Sequence, residues 1–258
     1  MIKGQEKLFN EIDMFTEDNL PHSILLIGEE GSGKHSVCEY ISDRFNLDLF
    51  DVSEGLSDSF IDEINQSQTK SLYLIDIDKI SPSKQNVILK LFEEPSQYAY
   101  IIIISSIKER VLDTILSRSY LLQMSLFSRD FLREYVTNSE VDYILDVCST
   151  PGQVQVANRT DMNKLRDVCV NLLDRIQDAP LFNVLSILNK INFSDEYNKF
   201  DLSLFIRVLN HECVRRSNIL DLYLIFKHMG VYINLMNNKK SYFERCLIEA
   251  YEHRTIKK

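Results

Sequence analysis

A glycine-rich turn in the first part of the chain has the residue types that bind phosphate. Residues 28–34 read Gly-Glu-Glu-Gly-Ser-Gly-Lys and directly follow an apolar run over residues 23–27. Glycines let the backbone curl so that its N–H groups face an anion, and a following helix adds a favourable dipole. The order strand, glycine-rich turn, helix predicts a P-loop for nucleotide phosphates. Its candidate phosphate-binding residues are Gly28, Gly31, Ser32, Gly33 and Lys34.

The position after Lys34 departs from the P-loop pattern. A serine or threonine hydroxyl normally stands there to hold Mg²⁺, and this chain has His35. Imidazole is a poor ligand for a hard cation that prefers oxygen, and Ser36 lies about 100° further around the helix. We expect magnesium to bind poorly. Two interpretations of the turn stay open: ATP or ADP bound without hydrolysis, and a turn that holds no ligand.

The elements that must position this turn alternate between strand and helix. Residues 71–78 form an apolar run that ends in acid, which suits a strand buried on both faces of a parallel sheet. A helix follows, started by Ser81-Pro82 and stopped by Pro95, and the β-branched run at residues 100–104 then favours another strand. We therefore predict a parallel sheet of five strands, the other three being at residues 23–27, 47–52 and 119–124. A short helix is predicted over residues 108–112, before the last strand.

The second half of the chain has a different pattern. From Asp161 onward strand patterns disappear, and apolar residues recur at helical spacing, as in Leu165, Leu172 and Ile176. This half is therefore predicted to be all α-helical. Periodicity does not distinguish an ordinary helical domain with its own core from a domain that packs against partner subunits.

Five segments in order carry a family resemblance. They are Gly4-Gln5-Glu6, residues 20–28, residues 85–90, Leu91-Phe-Glu-Glu-Pro95 and Ser117-Arg118-Ser119. This series resembles the AAA+ clamp-loader ATPases, and most closely the delta-prime subunits of bacterial DNA polymerase III. It covers about residues 3 to 155. The resemblance implies an α/β P-loop AAA+ domain at residues 1–126, a small helical lid at 127–160, and an all-α collar or oligomerisation domain at 161–258.

The resemblance gives Arg118 a role in a neighbouring subunit. Ser117-Arg118-Ser119 corresponds to the family's Ser-Arg-Cys motif, whose arginine reaches the γ-phosphate in the site of the subunit next to it. A planar, permanently charged guanidinium is suited to spread the charge of a phosphoryl group in transfer. Arg118 is therefore the expected catalytic residue, acting in trans. The alternative is a surface salt bridge.

Active members of the family carry two acids in succession at the end of the third strand, and this chain lacks one of them. Counting back from residues 91–95 without gaps puts Ile75 at the first acid and Asp76 at the second. A shift of one residue makes Asp76 the metal acid and puts Ile77 at the catalytic acid. In both registers an isoleucine replaces an essential carboxylate. Asp78 is expected to cap or solvate the strand end.

Further departures from the active pattern point the same way. Ser105 stands where the family has a polar residue that senses the γ-phosphate, and Gln155 stands where active members carry an arginine. Loss of the magnesium hydroxyl at His35 and of one acid removes metal positioning together with charge compensation. We therefore expect this chain to have no ATPase activity of its own.

Composition restricts the possible partners. The formal net charge of −9, from 29 basic and 38 acidic residues, argues against a protein that coats nucleic acid by itself. Five widely spaced cysteines are typical of thiols in a reducing compartment. The resemblance implies a four-cysteine zinc module after the first helix in many delta-prime relatives, and because this chain has only Cys38 there, we predict no zinc site. The polar start of the chain and the lack of a membrane-length apolar stretch predict a soluble, cytoplasmic protein.

These observations favour one hypothesis over two alternatives. The favoured hypothesis is a non-hydrolysing, stator-like clamp-loader subunit of the DNA polymerase III holoenzyme that contributes Arg118 in trans during sliding-clamp loading. Its expected partners are the ATPase and delta-type clamp-loader subunits and, indirectly, the sliding clamp and primer–template DNA. The alternatives are a self-sufficient AAA+ ATPase, such as a helicase loader, and a nucleotide-free scaffold adaptor.

Overall fold

The computed structural model describes residues 3–53, 56–93, 96–188, 201–216, 219–232 and 239–256. The chain divides into two compact units, the first extending to Ser128 and the second beginning at Arg129. The P-loop, Asp76 and Arg118 all lie in the first unit. The boundary after Ser128 lies two residues from the predicted end of the AAA+ domain, and the division of the remainder into lid and collar stays a prediction.

A five-stranded sheet forms the centre of the first unit. Its strand order is β2-β3-β4-β1-β5 and every pairing is parallel, as the sequence predicted. The first, third and fourth strands are buried along their whole length, because helices cover both faces of the sheet. The strands are β1 (Ser23–Ile27), β2 (Asp48–Asp51), β3 (Ser71–Asp76), β4 (Ala99–Ser105) and β5 (Tyr120–Gln123).

Alternate residues of the strands build two separate apolar cores. Leu72 and Leu74 of β3 face one core, whereas Tyr73 and Ile75 face the other. The first core also contains residues of α1 (Glu6–Asp13) and α2 (Lys34–Phe45), and the second contains residues of the remaining helices of this unit. Those helices are α3 (Asp58–Gln66), α4 (Pro82–Glu93) and α5 (Asp113–Leu116).

Buried amides hold the segments that surround the candidate site. Gln5, which is fully buried, donates to the Ser125 carbonyl at 2.9 Å and accepts from the Ser125 N–H at 2.7 Å. Gln85 of α4 donates to the Arg110 carbonyl at 2.8 Å and accepts from the Leu112 N–H at 3.1 Å. Because each amide satisfies two main-chain groups, these contacts fix the chain before β5 and after it.

The predicted short helix at residues 108–112 is wrong in its extent. Lys108–Arg110 forms a 3₁₀ turn, the backbone is extended at Val111 and Leu112, and α5 begins at Asp113. The Leu112 N–H donates to the side chain of Gln85 rather than to a carbonyl of a continuing helix. A tertiary hydrogen bond therefore interrupts a segment whose local sequence favours helix.

The second unit is helical in all its described parts, as the sequence predicted. Glu212, 4% exposed, accepts hydrogen bonds from the Tyr143 hydroxyl at 2.9 Å and from Arg166 Nε at 3.1 Å. These contacts join a helix of the predicted lid to two helices of the predicted collar. The helices are α6 (Arg129–Arg133), α7 (Val141–Val147), α8 (Pro151–Asn158), α9 (Met162–Asp178), α10 (Leu181–Leu188), α11 (Leu202–Arg215), α12 (Leu220–Tyr232) and α13 (Lys239–Ile256).

Candidate functional site

The glycine-rich turn lies at the carboxyl end of β1 and leads into α2. Gly31 and Gly33 have φ angles of 78° and 97°, a region that glycine enters without steric cost. Gly28 is required for a different reason. A Cβ at this position would lie 2.3 Å from Cγ of Met124, which follows β5. The curled backbone that the sequence predicted for a phosphate cradle therefore depends on these three glycines.

Lys34 is directed back into this turn. Its Nζ donates to the Gly28 carbonyl at 2.6 Å and to the Glu29 carbonyl at 3.1 Å, and the residue is 8% exposed. Burial lowers the pKa of Lys34, while the carboxylates of Asp78 and Asp76 oppose this effect. The ammonium group thus has polar partners inside the turn.

The turn has an unused hydroxyl but lacks one at the metal position. Ser32 Oγ is buried and finds no hydrogen-bond partner among the described residues, so the cradle retains a polar group for an anion. His35 and Ser36 are both exposed on the first turn of α2. The donor set therefore fits a phosphate group, whereas an imidazole at the magnesium position does not fit a magnesium ion.

Asp76 is the last residue of β3 and is 7% exposed. Its carboxylate accepts from the Asp78 N–H at 3.0 Å and lies 3.6 Å from the Lys79 ammonium. Burial raises the pKa of Asp76, and the neighbouring charge of Asp78 raises it further. Ile75 and Ile77, the two residues considered for the missing acid, are both buried in the second core. In either register the missing carboxylate is thus replaced by a core side chain.

Asp78 has a larger role than the predicted capping or solvation of the strand end. Its carboxylate accepts from Arg110 at 2.9 Å and from the Ser106 N–H at 2.8 Å. The side chain of Arg110 is 7% exposed. Sequence reasoning missed this ion pair. The sequence does place Asp78 after one strand and charged residues after the adjacent strand. It offers no basis, however, for choosing among Lys108, Glu109 and Arg110 as the partner of Asp78.

Ser105 is fully buried at the end of β4. Its hydroxyl donates to the Ile107 carbonyl at 2.9 Å, and the Asp78 carboxylate lies 3.3 Å away. A hydroxyl has a single proton to donate, and in this arrangement Ser105 uses it on the main chain just after β4. Its predicted role toward a γ-phosphate stays a prediction, as does the significance of Gln155, which is exposed on α8.

Arg118 lies at the amino ends of the strands, whereas the glycine-rich turn lies at their carboxyl ends. It lies two residues before Tyr120, where β5 begins, and the neighbouring Ser119 hydroxyl is 2.9 Å from that of Ser23, the first residue of β1. The P-loop follows the carboxyl end of β1, so the strand separates the two by about 16 Å at ~3.3 Å per residue. Arg118 is exposed, and it donates to the Thr114 carbonyl at 3.0 Å and to the Ser117 hydroxyl at 3.4 Å.

The raised pKa of Asp76 predicts that its charge costs stability. We expect Asp76→Asn to raise the urea midpoint at pH 7, because asparagine still accepts from the Asp78 N–H without a buried charge. Below the raised pKa the wild-type acid is already neutral. The gain should therefore shrink as the pH falls from 7 toward the ordinary aspartate pKa of about 3.9. Urea titrations at pH 7, 6 and 5 check this, and a gain that grows on acidification would contradict it.

The sheet order, the P-loop after β1 and the helical second unit define an AAA+ fold. RuvB of Thermotoga maritima, a Holliday junction branch migration motor, aligns with a TM-score of 0.51 at 14% identity, covering 98% of this chain and 88% of RuvB. A single-site variant of that RuvB aligns over the same shares of the two chains with a TM-score of 0.52 at 15% identity. At these identities the likeness concerns the fold alone.

Sequence comparisons show which proteins the chain resembles. A family model described as DNA polymerase III, delta subunit, matches residues 50–128, a range that contains Asp76 and Arg118. The DNA polymerase III subunit gamma/tau of Mycoplasma pneumoniae is 23% identical over 219 residues, covering 71% of this chain. The chain spans 29% of that relative's length. These matches confirm the resemblance to clamp-loader subunits of DNA polymerase III, while the assignment to the delta-prime type stays a prediction.

Three further properties concern the described residues. They contain no group of three or more His, Cys, Asp or Glu side chains that would hold a metal ion. No described helix is both long and apolar enough to cross a membrane. All five cysteines are buried and unpaired, and burial raises the pKa of Cys38 to about 12. Their thiols are therefore poorly reactive in the folded protein.

Proposed function

We propose that this chain is a delta-prime-type clamp-loader subunit that does not hydrolyse ATP and contributes Arg118 to the site of a neighbouring ATPase subunit. The observation that carries this proposal is the location of Arg118 at the amino edge of the sheet, whereas the chain's own P-loop is at the carboxyl edge. A separation of about 16 Å along β1 exceeds the reach of an arginine side chain. Arg118 can therefore serve a phosphate only on another molecule.

The environment of Arg118 supports this role. Its partners among the described residues are a main-chain carbonyl and a hydroxyl, and no carboxylate there lies within ion-pair distance. The guanidinium is thus not engaged by a carboxylate and can pair with an anion on a neighbour. An arginine contributed in trans commonly changes the rate of phosphoryl transfer by about 10³–10⁵-fold.

The chain's own P-loop supports the absence of hydrolysis. His35 offers no hydroxyl to a magnesium ion, and an isoleucine stands at one of the two acid positions. Metal positioning and charge compensation are each commonly worth several kcal/mol of barrier, so their joint loss is prohibitive. We propose that any ATP or ADP held by the turn is not turned over.

The proposed partners follow from the relatives. A gamma/tau-type subunit would supply the active site that receives Arg118, and a delta-type subunit would complete the assembly. Contact with the sliding clamp and with primer–template DNA would be made through the assembly, because the net charge of −9 disfavours extensive DNA binding by this chain alone.

The first test is ATP hydrolysis by the purified chain, alone and mixed with the gamma/tau-type subunit of the same cell. We expect no magnesium-dependent turnover from the chain alone and a clear increase in the partner's turnover in the mixture. Hydrolysis by the chain alone that is lost in Lys34→Ala would contradict the proposal and establish a self-sufficient ATPase.

A nucleotide-free scaffold adaptor is the second candidate function. The hydrogen bonds from Lys34 to the carbonyls of Gly28 and Glu29 favour it, because a nucleotide would have to draw the ammonium away from them. Calorimetric titration of the chain with ADP and with ATP distinguishes the two candidates. Absence of binding, together with an unchanged partner rate in Arg118→Ala, would select the scaffold.

A further inference from the structure

A groove of about 330 Å³ lies at the amino edge of the sheet, beside Arg118. The carboxyl end of α4 and the amino ends of β4 and β5 surround it, and the P-loop lies at the opposite ends of the strands. The site is from here on called the Arg118 groove, and six of its lining residues give it its apolar and cationic character: Leu91, Phe92, Ala99, Ile101, Arg118 and Tyr120.

The Arg118 groove offers an occupant apolar surface and a single strong cation. Other polar groups of its lining are engaged within the chain. The Ser23 hydroxyl bonds the Ser119 hydroxyl at 2.9 Å, the Tyr120 hydroxyl donates to Glu11 at 2.9 Å, and His22 Nδ1 lies 3.3 Å from the Ala99 carbonyl. An occupant that matches this lining carries an apolar body next to an anionic group.

The volume of the groove limits the size of that apolar body. A dry cavity of about 150 Å³ holds a benzene molecule, so 330 Å³ accommodates one large side chain with part of its flanking backbone. Deep burial of a single apolar anchor next to a charged contact is typical of the residues that dominate binding at an interface.

We propose that the Arg118 groove receives an apolar side chain of the neighbouring nucleotide-bound subunit, while Arg118 meets a phosphate of that nucleotide. This inference rests on the proposed function and adds an anchor to it. The groove contributes affinity, whereas Arg118 contributes rate. Binding and catalysis are thereby assigned to adjacent but separable parts of one surface.

The chain offers a way to block the groove after folding. Ser96 lines the groove in the loop before β4 and is half-buried. Because the five native cysteines are buried, Ser96→Cys introduces a thiol that benzyl maleimide can modify selectively. The added benzyl group then fills the groove of an already folded protein. Lys108→Cys, exposed beyond the carboxyl end of β4, is the matched labelled control.

The readouts are the dissociation constant for the ATP-loaded gamma/tau-type subunit and the ATP turnover at saturating concentrations of this chain. We expect the label on Ser96→Cys to raise the dissociation constant about tenfold or more, with saturating turnover within about twofold of the unlabelled variant. The label on Lys108→Cys should change neither. Ala99→Leu, which enlarges a side chain of the lining, should repeat the loss of affinity.

Several outcomes would overturn the proposal. Unchanged affinity after labelling of Ser96→Cys would exclude the groove as an anchor site, even if Arg118→Ala still abolishes stimulation. Binding of free ATP that the label blocks would make the groove a nucleotide pocket, and self-association that the label blocks would make it a contact between two copies of this chain. An unchanged partner rate in Arg118→Ala would instead refute the proposed function itself.

Discussion

Replacing Arg118 with alanine should lower the stimulated ATP turnover of the gamma/tau-type partner by about 10³-fold or more, close to its rate without this chain. The guanidinium is exposed at the amino edge of the sheet and donates within its own chain only to a carbonyl and a hydroxyl among the described residues. Its removal therefore costs the fold little. The loss should appear in the partner's ATP turnover at saturating concentrations of this chain rather than in the stability of this chain.

Two matched variants make this result specific. Arg118→Lys keeps the charge but loses the planar fork, so it should recover only part of the rate. Lys108→Ala removes an exposed cation from the opposite edge of the same unit and should behave as the wild type. Equal stimulation by Arg118→Ala and the wild type, in proteins with the same unfolding temperature, would refute a role in trans.

Replacing Asp78 with alanine should destabilise the first unit by about 3–5 kcal/mol. Asp78 pairs with Arg110, whose side chain is 7% exposed and whose Nε has no hydrogen-bond partner among the described residues. Without the carboxylate a buried cation remains uncompensated, and the Ser106 N–H also loses its acceptor. The effect is therefore expected to exceed the loss of an ordinary surface pair.

Urea unfolding followed by circular dichroism measures this change. The control is Asp142→Ala, since the Asp142 side chain is 78% exposed in its pairs with Arg129 and Arg133 and should contribute at most about 1 kcal/mol. Combining Asp78→Ala with Arg110→Leu should recover much of the loss, because the orphaned charge is removed as well. A cost for Asp78→Ala no larger than that of the control would contradict the buried-pair interpretation.

The sheet was largely predictable because its central strands are buried on both faces. Apolar runs such as residues 100–104 have the composition expected of a strand buried on both faces. The spacing of the connecting helices requires parallel pairing. Strand ends were less predictable. The strand expected over residues 119–124 is observed only from Tyr120 to Gln123, since pairing with β1 sets its ends rather than local composition.

The candidate site was predictable where backbone chemistry determines it and unpredictable where side chains meet across elements. Gly31 and Gly33 adopt the positive φ angles that a phosphate cradle needs. The pairing of Asp78 with Arg110 and the bonds from Lys34 to the turn depend on side-chain directions that one sequence does not encode locally. The interrupted helix at residues 108–112 has the same origin, because Gln85 captures the Leu112 N–H from another helix.

The most direct test of the central claim is a cryo-EM structure of this chain bound to its gamma/tau-type neighbour in the presence of magnesium, ADP and beryllium fluoride. The account predicts the Arg118 guanidinium about 3 Å from the phosphate mimic in the neighbour's site. It also predicts no magnesium ion at His35. A complete magnesium–nucleotide complex seated against residues 28–35 of this chain, with Arg118 still bonded to Thr114, would contradict it.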